Sequence, residues 1–244
     1  MNIFYIDESP VDAAKAMVDK HIVKMPLESA QMLSTAHRLL DGQEVVAQVG
    51  NKKKVLHLLE GETWAFDDTT QRFTINNEKC YKVAHAKHPS TIWTMASKSN
   101  YYWHVELFEA MLSEFTSRYG KIHSCQKLLP FLRNAPSSIH DGAFTPPTPA
   151  MPDKYKVDDA IESYRRYYAG DKWRFAKWKH NIMPRWFPTY MSVVWNEDIG
   201  DRAELISSIA KKYGNKTTLP LDGRVFSFGN KICYDKAITE TQKA

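Results

Sequence analysis

His21, Lys24, Glu28, Gln31, Thr35 and Arg38 follow one another at steps of three and four residues, from "VDKHIVKMPLESAQ" towards "RLLDG". On a helix that spacing places all six along one face. The neighbouring face, Val18, Ile22, Met25, Met32 and Leu39, is apolar. The polar face is either the solvated side of an amphipathic helix or the lining of an internal cleft. Its variety favours chemistry. An imidazole can move a proton, an amine can hold a phosphate or attack a carbon, and a carboxylate can stabilise a cation. Asp19 lies just off this stripe.

Other candidates are scattered. His85 and His88 in "HAKHPSTIW" have a spacing that seats metals on a helix. Pro89 disfavours helix at His88, and no cysteine or carboxylate stands close by. No metal site is expected, and His88 reads as a polar contact to a ligand or as a turn histidine. His104 shares a stripe with Phe108, Met111 and Phe115, which suits a hydrogen-bonded core histidine. Between Tyr164 and Phe187 the chain carries seven Lys/Arg, eight aromatics and one acid. So many aromatics need burial and so many cations need water or partners, so the segment belongs at an edge. Cations meeting phosphates and rings stacking on unpaired bases would suit a nucleic-acid groove there.

The elements that must position these groups are mostly helical. "NIFYID" reads as a short N-terminal strand, and "DESP" as the start of a helical pattern running to Gly42. Pro26 either kinks one long helix or opens a second. "EVVAQVGNKKKVLHLL" and "TWAFDDTTQRFTI" read as two hairpins, a small β insertion over 43–77. Helical period returns after "HPSTIW", with Ser90 or Ser99 as cap and Gly120 as stop, and again in "SCQKLLPFLRN" and from "VDDAIESYRRYY" onward. A Pro-rich loop, "APSSIHDGAFTPPTPAMPDKYK", separates the last two. A polar helix near 200–213 and a C-terminal hairpin around Gly229–Asn230 complete the reading. The expected fold is mainly α: a single helical domain over 1–187, with 188–244 as an extension packed on it.

The 244 residues suffice for one ordinary core, and the net charge of +5 is compatible with a polyanionic partner. Three cysteines (Cys80, Cys125, Cys233) without metal-type spacing suit a reducing compartment. With no signal-peptide pattern and no membrane-length apolar run, a cytoplasmic, membrane-free protein is expected. P-loop, dinucleotide-binding, nucleophile-elbow, HEXXH and zinc-deaminase patterns are absent. No cofactor is expected.

The fragments "FYIDESP", "DKHIVKM-LESAQMLSTAHR", "HPSTIW", "NYYW", "RYGK-H", "AMPDKYK" and "YRRYYAGDK-----WK" resemble, in order, a widespread family of small proteins from tailed phages and some bacteria. That family is associated with DNA glycosylases that attack modified phage bases. The resemblance covers roughly 1–42 and 79–187. Val18 and Pro26 depart from it, standing where a small residue or cysteine and an aliphatic residue are expected. It implies an N-glycosidic hydrolase that flips a base out of double-stranded DNA, acting as a monomer. Asp19, with Asp7 as second choice, would stabilise the oxocarbenium-like sugar. His21 would contact or protonate the base, and Lys24 would hold a phosphate or form a Schiff base. Glu28, Gln31, His88, Asn100 and Tyr101 would contact substrate. Arg118, Lys121, Arg165, Arg166, Lys172 and Lys179 would bind the DNA backbone. The rival expectations are an enzyme of free nucleotides and a non-catalytic nucleic-acid-binding protein.

Overall fold

Ser9 caps the first helix by accepting the Asp12 amide, and Pro10 stands where its missing N–H costs nothing, so α1 runs Pro10–Ala16. The chain then turns extended at Met17 and Val18 before α2, Asp19–Leu40. The helical pattern is therefore broken at 17–18. Pro26 instead lies inside the continuous α2. These details come from a computed structural model, which describes residues 2–179 and 183–196 and the backbone of 227, 228, 231 and 232.

Two hairpins follow. β1 (Gln43–Val49) pairs antiparallel with β2 (Lys52–Leu58), and β3 (Thr63–Asp67) with β4 (Arg72–Asn76). The insertion thus forms two hairpins where the β-branched runs around "GNKKK" and the "TWAFDDTTQRFTI" stretch predict them, with its own small core of Ala47, Leu56 and Phe73. α3 (Pro89–Ala96) is capped by the His88 ring, and α4 (Lys98–Tyr119) by the Ser97 hydroxyl. Neither Ser90 nor Ser99 is the cap, because both already lie within helices. Gly120, left-handed at φ 64°, ends α4 as expected. A 3₁₀ turn at Ser124–Leu128 leads into the short α5 (Leu129–Leu132).

The Pro-rich loop is held to α3 and α4 by hydrogen bonds. Trp93 Nε1 donates to the Thr145 carbonyl, and the Lys98 amide to that of His140. α6 (Ala160–Tyr167) is shorter than its pattern suggests. It passes into a π turn at Tyr168–Lys172 and a 3₁₀ turn at Trp173–Phe175. α7 (Trp186–Asn196) spans the 187/188 position and contributes Phe187, Met191 and Val194 to the main core. The polar helix near 200–213 lies outside the described residues. Two-residue strands β5 (Ser227–Phe228) and β6 (Lys231–Ile232) pair antiparallel at the C-terminal hairpin position.

The N-terminal run is not a strand. Residues 3–6 are buried, and the backbone bonds among them are local, Tyr5 to Ile3 and Ile6 to Phe4. They lie among the side chains of α1, α2, α4 and α6 as part of the main core. A second core joins α2 to α4 and α5 through Leu33, Tyr101, Phe108, Leu112 and Leu132. α2 is therefore covered on several sides, which decides the fate of its polar face. Among the described residues, no helix is long and apolar enough to cross a membrane.

Candidate functional site

Most of the polar face of α2 is buried, each side chain with its own partners. His21 stacks on Phe4 at 4.3 Å between centroids. Tyr168 Oη accepts the Val18 amide, so its own proton goes to His21 Nδ1, 2.6 Å away. Burial first, then the charges of Lys172 and Lys24, push the His21 pKa down to about 3. A ring held neutral this firmly cannot protonate a departing base near neutral pH. Thr35 accepts the Ala84 amide and donates to the Gln31 carbonyl.

Arg38 is fully buried. It donates to the carbonyls of Tyr81, His57 and Cys80 and forms a two-pronged pair with Glu62, at 2.7 and 3.1 Å. Burial works to raise the Glu62 pKa. The Arg38 hydrogen bond and the Lys79 and Leu59 amides outweigh it, and the carboxyl ends below its ordinary value.

Asp19 is also committed to structure. Both its oxygens accept the Lys179 amide, at 2.9 and 3.0 Å, and Oδ1 also meets Arg118. It ties the start of α2 to the 177–179 segment, an anchoring role. Asp7 is engaged as well, accepting the Ser9 amide and pairing with Arg165 at 3.3 Å.

Of the expected DNA-contacting arginines, Arg118 is corrected. Arg118 is fully buried, donating to the Met17 and Lys15 carbonyls, to Asp19 and to Glu114. No phosphate can reach it. Arg165 donates to the Ile6 carbonyl and lies over the Trp186 ring, and Arg166 pairs with Glu162. Lys172 binds Asp171 and Tyr167. Two expected substrate contacts are likewise structural. Asn100 bridges the Trp93 carbonyl to both groups of Thr145, and buried Tyr101 donates to the Leu132 carbonyl.

What remains outward-facing is compact. Lys24, with 71% of its side chain exposed, meets Glu28 Oε1 at 2.8 Å. Glu28 is 8% exposed, and its other oxygen accepts the Asn2 amide at 3.1 Å. Asn2 is fixed there by its side chain, which donates to the Ala150 carbonyl and accepts from Tyr164. Gln31 follows one turn on and is partly exposed. His88 opens α3, its ring accepting the Ser90 amide. Burial lowers the His88 pKa, and the Glu28 charge acts in the opposite sense. Beyond His88, buried Ser90 Oγ and Thr91 Oγ1 have no hydrogen-bond partner. Buried polar atoms are nearly always paired, so two neighbouring orphans mark a place where a polar ligand or water belongs.

A cationic rim borders this pair. Lys20, Lys24, Lys121, Lys177 and Lys179 are all exposed. The 177–179 segment is bonded to Asp19, and His123 Nε2 lies 3.3 Å from the Val23 carbonyl, so the cations converge on the first turns of α2. Val23, Leu27 and Ile122 add exposed apolar surface between them. Of the expected backbone contacts, Lys121 and Lys179 belong to this rim. Lys20 and Lys177 escaped the sequence reading, since only the fold brings residues 20 and 177 together. No cluster of metal-ligating side chains occurs among the described residues. Comparison with protein-family models, curated proteins and solved structures finds no match for the chain.

Proposed function

We propose that the protein is a DNA glycosylase that removes a base, a modified one as the family resemblance implies, from a flipped nucleotide. The observation that carries this reading is the Lys24–Glu28 pair, a shielded carboxylate under an accessible amine beside a lysine-rich rim. Breaking a glycosidic bond leaves positive charge on the sugar, and a carboxylate facing C1′ stabilises it. Glu28 takes that role in place of Asp19. An amine that attacks C1′ as the C1′–N bond breaks gives a covalent sugar adduct. The proton the amine gives up passes through the carboxylate to the departing base, and opening of the sugar ring leaves an imine that borohydride reduces. Lys24 is one such amine, with Glu28 placed to accept its proton. Ser90, Thr91, His88 and Gln31 supply polar groups for the extruded nucleotide, and the lysine rim holds the flanking phosphates.

The test is incubation with ordinary and modified phage DNA, mass spectrometry of released bases, and borohydride reduction during turnover. Released base supports the reading, and a reduced cross-link mapped to Lys24 identifies the amine. Release without a cross-link assigns attack to water. Turnover of free nucleotides with no base release would favour a nucleotide-processing enzyme and overturn the proposal.

A further inference from the structure

The β insertion carries a groove that the site above does not use. Lys54, Gln71, Arg72, Phe73 and Lys82 line it, so three cations surround an aromatic ring with no carboxylate among them. Lys54 lies on β2 opposite Ala47, on the same strand face as Leu56 of the insertion's core, and so beside the second hairpin. Lys52 extends the groove, bonded to Gln71 at 2.8 Å and lying over the Phe66 ring. Lys82 Nζ donates to the Phe73 carbonyl at 3.0 Å, which fixes it at the groove wall. Lys54 and Arg72 are exposed and make no ion pair among the described residues. Asp67, across the ladder from Arg72, is occupied by Thr69 and Thr70. Asp67 keeps its charge, but Lys52, Lys54, Arg72 and Lys82 outnumber it, and such an excess of cations raises the local potential and attracts a polyanion.

The groove is also connected to the site. The 79–88 segment runs back along α2, meeting Arg38 and Ser34 at Tyr81, Thr35 at Ala84, and leading to His88. His85 and Lys87, both exposed, lie on that path. From Arg38 to Glu28 is about 15 Å along the helix axis, at 1.5 Å per residue, less than half a turn of duplex DNA.

We propose that the insertion groove is a second phosphate-backbone contact, holding the same DNA duplex away from the flipped nucleotide. The inference rests on the reading of the protein as a DNA-acting enzyme. The occupant is a nucleic-acid backbone, because Lys52 on one side and the exposed His85 and Lys87 on the other continue the cationic surface beyond the three cations of the groove.

The experiment measures binding of an unmodified duplex of about three helical turns by full-length protein across a salt series, with Lys54→Ala/Arg72→Ala beside the wild type. Each lost phosphate contact should flatten the log–log salt slope by about 0.9, so the double variant should lose nearly two and bind more weakly. Lys54→Arg/Arg72→Lys should retain the wild-type slope. An unchanged slope in the alanine variant overturns the inference, even if base release succeeds. Loss of slope without any base release upholds it and sinks the glycosylase reading instead. No duplex binding by the wild type, or Lys54-dependent binding of inorganic phosphate alone, overturns it as well.

Discussion

Arg118 shows what a single residue can conceal. In sequence it sits in "RYGK", beside a tyrosine and a lysine, as a phosphate-binding arginine would. Folded, its guanidinium joins the end of α1, the start of α2 and Glu114. Arg118→Ala should therefore cost about 3–5 kcal/mol of stability, because it strips a buried network of its cation. Denaturant unfolding will measure that loss, and the salt dependence of DNA binding by the folded fraction should stay as it was. Ser90 predicts the converse. Its hydroxyl has no protein partner, so Ser90→Ala should leave stability within about 0.5 kcal/mol of wild type. Base release at low substrate concentration should nevertheless fall. Equal activity would remove α3 from the substrate pocket.

The elements were legible where one segment decides its own structure. Both hairpins, the Gly120 stop and the helical periods could be read because alternation, turn chemistry and 3.6-residue spacing act locally. The N-terminal strand, the break at Met17–Val18 and the site assignments were not. These depend on partners outside the segment itself, such as Tyr168 on Val18, Arg118 on Met17 and Leu132 on Tyr101. The polar face of α2 was visible, but not what covers it. The insertion illustrates the same point, since Glu62 within it is the carboxylate partner of Arg38 in α2. Removing 43–77 would strand a buried guanidinium, so that deletion should unfold the helical core rather than trim it. Glu62→Gln isolates the effect and should cost about 3 kcal/mol or more. A deletion with an unchanged melting temperature would show that Arg38 finds other compensation.

The whole molecule is built around several neutral histidines, which sets its acid response. Burial lowers the His21 and His104 pKa values to about 3 and that of His37 to about 4. The unfolded chain takes up these protons near pH 6.5, whereas the folded chain resists them until far lower. Their contribution is thus complete above pH 6.5 and lost as pH falls towards 4 and 3. Each ring adds a slope of at most about 1.4 kcal/mol per pH. Urea midpoints should decline over that range, and His104→Asn should lessen the decline. The buried rings, the Arg38–Glu62 pair and the Asp19–Arg118 anchor hold a frame around Glu28, a largely buried carboxylate beside the accessible Lys24 amine. Glu28→Gln keeps the shape and removes the charge. Base release from modified phage DNA, measured by mass spectrometry for Glu28→Gln and Asp19→Asn, is therefore the most direct test. Glu28→Gln should fall by about 10²–10⁴-fold with its fold intact, while Asp19→Asn retains activity at some cost in stability. Full activity in Glu28→Gln, or its loss in a well-folded Asp19→Asn alone, would contradict the account.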